Sequence, residues 1–296
     1  APPLTMYALS GEPLASRSTS TGSVESPTGS SRAGHAGPAP VVAEVASDEE
    51  VASDSTDDGS AESGAAGSVD VSGQILRRDQ NGTSLELHLE GRSARTELPV
   101  VGTFNAANSL LAAAVAHRLG IDPAAIVAGL RNLPTVPGRF EQVPNERGIS
   151  VIVDYAHTPE AVGSAIAAAA EVGSNRVIAV VGSAGDRDPD KRVPMGAAAA
   201  TADLAIITSD NPRSEDPERL VEQVLLGAGG RGESVIAEVD RRAAIREALK
   251  RAEPGDVVLI LGKGHEPYQE FADRTIAFDD RVVAAEELQA GWGDRP

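Results

Sequence analysis

Between residues 149 and 290 the chain alternates short apolar runs with helix-period stretches, and that alternation limits the folds open to it. Apolar runs at 149–153, 176–182, 204–208 and 234–238 each precede a helical stretch, at 158–171, 191–202, 216–226 and 240–251. A fifth run, 256–261, leads into a loop, and a short strand near 274–278 precedes a helix over 279–290. Strands separated by helices do not close as hairpins, so they pair in parallel with helices over both faces. The expectation is a Rossmann-like α/β domain over 138–296 with a mainly parallel sheet.

The preceding part reads differently. Residues 74–78, 84–90 and 94–100 alternate apolar and polar side chains, with the hairpin signal Asn81-Gly82 between the first two. Asn105 to Leu119 reads as an Ala-rich helix, and Asp122-Pro123 opens another that runs to Leu130. Pro134, Pro137 and Gly138 then mark a linker. No Phe, Trp or Tyr occurs between Tyr7 and Phe104, and residues 10–73 are dominated by Ser, Gly, Ala and acidic residues. Such a stretch buries too little apolar area to offset chain entropy and is expected to be disordered. A phosphorylated acidic tail is the other reading of it.

The net charge of −18 opposes nonspecific binding to nucleic acid, although much of the excess lies in that acidic segment. The absence of cysteine removes disulfides, thiolate metal sites and cysteine nucleophiles. No apolar run has the length of a membrane span, and the first residues lack a signal-peptide pattern, so no membrane association and a cytoplasmic location are expected.

Polar residues gather at four strand exits: Asp154 to Pro159, Gly182 to Asp188, Ser209 to Arg213, and Gly262 to Glu266. In an open parallel sheet these exits share one edge, where ligands bind. Any one such loop could be polar merely because it faces water. Four together predict a site. Glycines at 182, 185, 262 and 264 allow close backbone approach. Lys263, between two glycines, has the look of a phosphate or carboxylate contact. No G-x-x-x-x-G-K-[ST] phosphate loop occurs in the sequence, and no G-x-G-x-x-G follows a strand. His157 and His265 lack the spacing of metal ligands, and no metal site is assigned.

These loops, in this order, resemble the Mur ligase family over roughly residues 74–290, and Thr5-Met6-Tyr7 in residues 1–9 resembles a preceding strand of the family's central domain. The resemblance is carried by Gly102-Thr103-Phe104-Asn105-Ala106-Ala107-Asn108, Gly138-Arg139-Phe140-Glu141, Asp154-Tyr155-Ala156-His157-Thr158-Pro159, and Gly185-Asp186-Arg187-Asp188 with Lys191-Arg192. Asp210-Asn211-Pro212-Arg213 and Gly262-Lys263-Gly264-His265-Glu266 resemble the branch that adds meso-diaminopimelate (the MurE type). The resemblance implies that residues 74–137 are the tail of a central domain and 138–296 the family's C-terminal domain. It implies ATP-dependent addition of meso-diaminopimelate to UDP-MurNAc-L-Ala-D-Glu through an acyl phosphate, with Mg²⁺ held mainly by parts of the family absent from this sequence. Asn105, Asn108, Arg139, Asp154, His157 and Lys191 would face ATP. Arg187, Asp210, Asn211, Pro212, Arg213, Gly262 and Glu266 would hold the diamino acid.

The chemistry of the residue types agrees. Meso-diaminopimelate has one carboxylate more than lysine, and the planar fork of Arg213 suits it, with Asn211 adding a directional bond. Glu266 can accept from the distal ammonium. The sequence departs from the family in lacking the phosphate loop, so this chain alone is expected to be inactive, with a separate N-terminal half as its expected partner. Rival readings are a related ligase for lysine or a cyanophycin-type substrate, and a non-catalytic binding module.

Overall fold

The structure, a computed structural model, describes residues 40–42, 71–79, 82–89, 91–172, 175–230 and 232–290. The expectations for residues 1–9 and for most of 10–73 lie outside them. Within 10–73, β1 (Pro40–Val42) pairs antiparallel with β2 (Val71–Asp79), so regular structure resumes a little before Gln74. β3 (Gly82–Leu89) and β4 (Arg92–Leu98) complete a sheet of order β1-β2-β3-β4. All three predicted strands of this region are present, shifted by a few residues. Asn81 of the predicted turn is outside the described residues. Two helices follow, α1 (Thr103–Arg118) and α2 (Pro123–Arg131), and the Asp122 carboxylate caps α2 by accepting from Ala124 and Ala125 N–H.

Compactness divides the chain differently from the predicted boundary at 138. One unit includes residues 84–97 and 106–132; among the described residues, the other joins 78–79, 82–83 and 98–105 to those from Leu133 onward. The second unit contains a six-stranded sheet. Its strands are β5 (Glu141–Gln142), β6 (Ser150–Asp154), β7 (Val177–Ser183), β8 (Leu204–Ser209), β9 (Val235–Ala237) and β10 (Val257–Leu261). The order is β5-β6-β10-β7-β8-β9; β5 is antiparallel and the other five are parallel. The mainly parallel α/β fold expected from the alternation is therefore present.

Every residue of β6, β7, β8 and β10 is buried, as a sheet covered on both faces requires. Ile152, Ala179, Val181, Ala205, Ile207, Leu259 and Leu261 point toward α3 (Pro159–Ala170), α4 (Arg192–Ala199) and α5 (Pro217–Gly227). Val151, Val153, Ile178, Val180, Ile206, Val258 and Ile260 point toward α6 (Arg241–Arg251) and α7 (Asp280–Gln289). Local sequence starts these helices: Thr158 caps α3 ahead of Pro159, Asp216 caps α5 ahead of Pro217, and Asp240 and Asp279 cap α6 and α7.

Three local expectations need correction. The linker before β6 contains the edge strand β5. The loop expected after β10 contains β11 (Tyr268–Glu270), which pairs antiparallel with β12 (Thr275–Ala277) in a separate ribbon. The helix expected over 191–202 is shorter, because Asp188 and Pro189 first close a 3₁₀ turn over Pro189–Lys191.

Candidate functional site

The carboxyl ends of β6, β7, β8 and β10 surround a polar cavity of about 290 Å³. Of the predicted site residues it gathers His157, Arg187, Lys191, Asp210, Asn211, Arg213, Gly262 and Glu266. Tyr155, Gly182, Ser183, Ala184 and Met195 complete its walls.

Close backbone packing forms the cavity wall. A Cβ on Gly185 would lie 1.9 Å from Pro212 O, and one on Gly262 would lie 2.4 Å from Asp210 Oδ2. Gly262 also has φ +113°, a conformation that favours glycine. The Gly182–Asp188 and Ser209–Arg213 loops are thereby pressed together, and Gly185 N–H donates to Asn211 O at 2.9 Å.

Asn211 is oriented by three neighbours. Its Oδ1 accepts from Lys263 Nζ at 3.1 Å and from Glu270 N–H at 3.0 Å, while its Nδ2 donates to Glu266 Oε2 at 2.8 Å. Lys263, which by residue type resembles a phosphate or carboxylate contact, is wholly buried, with its ammonium donating also to Tyr268 O. Burial pushes that ammonium below the ordinary lysine range, against the pull of the Asp210 carboxylate. Burial likewise pushes the Asp210 carboxyl up, opposed by Arg241 and Lys263.

Arg213 sits at φ +53°, held by Arg213 N–H to Glu270 O at 2.9 Å. Its Nε donates to Glu270 Oε2 at 3.1 Å and its Nη1 to Gly185 O at 2.6 Å. Nη2 has no hydrogen-bond partner among the described residues. The guanidinium is thus aimed by the protein, with one end of its fork left over. Pro212 is buried and shapes the wall through its carbonyl rather than lining it.

The residues expected to face ATP divide. His157 and Lys191 share the first cavity, and Lys191 Nζ donates to His157 O at 3.4 Å. His157 Nδ1 lies 2.8 Å from Tyr155 O, so Nδ1 carries the proton. The Tyr155 ring meets His157 edge-on at 4.7 Å and His265 at 5.5 Å, with the Arg139 guanidinium 4.7 Å above it. Asn105 and Arg139 line a second cavity of about 340 Å³, beside Phe140 and Glu141. Asn108 is exposed on α1 in the other compact unit. Asp154, expected to bind ribose, has both oxygens engaged by backbone: Phe140 N–H at 2.8 Å and Ala156 N–H at 2.9 Å. It fixes the strained Phe140, at φ +47°, to the end of β6.

Sequence reasoning did not single out Ser183 or the buried Arg241–Asp280 pair, and it gave no role to Arg192, whose guanidinium holds Glu215 at 2.7 and 3.0 Å and Gln223 at 2.6 Å. Arg241 and Arg192 open helices with charged residues beside them, which reads as a solvated face. Their burial could be found only in three dimensions.

Glycine-packed loops, paired cations and acidic acceptors at the carboxyl edge of a parallel sheet define an α/β domain suited to a small ligand of mixed charge. Residues 138–264 match the family model described as Mur ligase, glutamate ligase domain, and the chain thus carries a Mur ligase C-terminal domain. It is 44% identical over 213 residues to a UDP-N-acetylmuramoyl-L-alanyl-D-glutamate–2,6-diaminopimelate ligase of Solibacter usitatus, covering 72% of this chain and 43% of that protein. A protein of the same name from Synechocystis is 50% identical over 193 residues, 64% of this chain and 38% of the relative. A solved structure of such a ligase superposes with a TM-score of 0.59 at 36% identity, covering 76% of this chain and 46% of the other. The chain spans less than half the length of these relatives.

Proposed function

We propose that this chain supplies the amino-acid-binding part of a ligase that adds meso-diaminopimelate to UDP-MurNAc-L-Ala-D-Glu in peptidoglycan precursor synthesis. The observation that carries the reading is the single cavity that unites His157 and Lys191 with Arg187, Asp210, Asn211, Arg213, Gly262 and Glu266. In it, Arg187, Arg213 and the donating amide of Asn211 meet carboxylate, and Glu266 and Asp210 meet ammonium. Lys191 brings a cation suited to phosphate to the same space.

The chemistry follows from that juxtaposition. ATP supplies activation of the D-glutamyl γ-carboxylate as an acyl phosphate. The diaminopimelate amine attacks its carbonyl carbon, the new C–N bond forms as the C–O bond to phosphate breaks, and the amine's proton leaves. The residues present act by holding the amine near the carbonyl and neutralising charge, and no protein nucleophile is required. Asn105 and Arg139 fit contacts to the nucleotide, in a polar recess with a guanidinium at its edge. Mg²⁺ ligands belong to parts of such a ligase outside this sequence, as does the phosphate loop, in the same polypeptide or in a separate N-terminal half. The 296 residues alone should therefore show no ATP turnover, and the reaction is placed in the cytoplasm, where its nucleotide substrates are.

Calorimetric titration tests the reading: meso-diaminopimelate should bind measurably to this chain and lysine far more weakly. Equal affinity for the two would favour a ligase for another amino acid.

A further inference from the structure

Ser183 and Ser209 lie side by side at the ends of β7 and β8, paired in register. Their hydroxyls are treated oppositely. Ser209 Oγ donates to Val239 O at 2.9 Å and accepts from Gln269 Nε2 at 3.0 Å. Ser183 Oγ is buried without a hydrogen-bond partner.

Among the described residues two other buried side-chain atoms share that condition, Thr96 Oγ1 and Arg192 Nε. Thr96 lies on β4, and the other two nitrogens of Arg192 are paired with Glu215 and Gln223. Of the three residues, Ser183 borders the polar cavity. A buried hydroxyl with no partner is destabilising, and alanine, smaller by that one oxygen, would avoid the cost. Its persistence at a cavity wall is explained if a ligand completes it.

We propose that Ser183 is a specificity-determining contact whose hydroxyl donates to a carboxylate oxygen of the amino-acid ligand. The proposal rests on the amino-acid-binding reading given above and deepens it. Arg187 and Arg213 line the same cavity as Ser183, and Arg213 Nη1 donates to Gly185 O two residues along, so cationic donors share the space that Ser183 borders. A carboxylate can accept from a hydroxyl as well as from both guanidinium groups, and hydrogen bonds to charged acceptors are the stronger kind.

The test compares parent, Ser183→Ala and Ser183→Cys in thermal unfolding and in calorimetric titration with meso-diaminopimelate. Ser183→Ala should melt at the parent temperature or above it and bind roughly tenfold more weakly. Ser183→Cys, which restores volume but donates poorly, should bind as weakly as the alanine variant. Full binding by the cysteine variant would assign the effect to packing and overturn the contact. So would parent-like affinity in Ser183→Ala, with or without a lower melting temperature. If the parent itself binds no meso-diaminopimelate, the functional reading fails and the contact with it; binding equal in parent and Ser183→Ala sinks the contact alone.

Discussion

Arg241 and Asp280 meet in a wholly buried, two-pronged ion pair, with Nε–Oδ1 at 2.8 Å and Nη2–Oδ2 at 2.7 Å. Each is the first residue of its helix, Arg241 of α6 and Asp280 of α7. The guanidinium also donates to Ser209 O at 3.3 Å and Leu261 O at 2.9 Å, the last carbonyls of β8 and β10. A charge pair between two helix starts thus fixes the strand ends from which Asp210 and Gly262 enter the cavity.

Removing one partner should be costly, because it leaves the other charge buried and unpaired. Asp280→Ala is expected to lower unfolding free energy by about 3–5 kcal/mol. The double change Arg241→Met with Asp280→Leu should cost less than the single one, since no charge is stranded. Urea denaturation of the three proteins measures both. A loss below about 1 kcal/mol for Asp280→Ala would show that water reaches Arg241.

The glycine contacts give a second expectation. Gly185→Ala drives a methyl against Pro212 O, a backbone atom that cannot rotate away, and should destabilise by roughly 1–3 kcal/mol. It should also displace Arg213 and weaken ligand binding. Gly129, inside α2 with nothing within 4 Å of its added methyl, is the control. Gly129→Ala should hold or raise stability, by up to about 1 kcal/mol. Two variants with equal melting temperatures would refute the clash.

Much of this was legible in the sequence because burial on both faces writes unbroken apolar runs. Val177–Val181 and Val257–Leu261 are examples, and the glycine and charged residues after them marked the cavity's edge. β5 escaped notice because Glu141 and Gln142 form a two-residue edge with no apolar period. β11 did too, since Tyr-Gln-Glu lacks a strand signature and is held by the Arg213 backbone and by its partner β12. Lys263 was misjudged because residue type and flanking glycines resemble a phosphate contact. Only packing shows its ammonium turned inward to Asn211 and Tyr268. Asp154 has a structural task that residue type does not reveal, since each of its oxygens accepts a backbone N–H, from Phe140 and from Ala156.

Acid should loosen the Arg187 loop in a defined pH window. Arg192 donates to both oxygens of Glu215 and holds its carboxyl below the usual 4.5, and Glu215 Oε1 also accepts from Asp186 N–H at 2.7 Å. A carboxyl lowered on folding contributes stability above its unfolded value, and that contribution is lost as pH falls through the folded value. Glu215 is partly exposed, so the effect should be modest. Melting temperature against pH for the parent and Glu215→Gln should differ most near neutrality and converge below about pH 4.5. A constant offset down to pH 3 would place the effect in shape rather than charge.

The remaining expectation concerns which group reads the ligand's extra carboxylate. Arg213 has two nitrogens tied to Glu270 and Gly185, leaving Nη2 for a ligand. Hydrogen bonds to charged groups contribute roughly 1.5–3 kcal/mol, so Arg213→Ala should weaken meso-diaminopimelate binding about ten- to a hundredfold. Lysine, which lacks that carboxylate, should bind the variant about as poorly as the parent. Arg213→Lys should recover little, because an ammonium cannot keep both protein ties and still reach the ligand. Arg213→Ala also cuts the link to Glu270, so Glu270→Gln is needed beside it: that change weakens the tie while keeping the guanidinium, and most of the affinity should survive. Titrations of both ligands into all four proteins separate the outcomes. Equal weakening for lysine and diaminopimelate in Arg213→Ala would mean that Arg213 holds the loop and does not read the substrate. An equally large loss in Glu270→Gln would assign the discrimination to the β11 ribbon that positions the guanidinium.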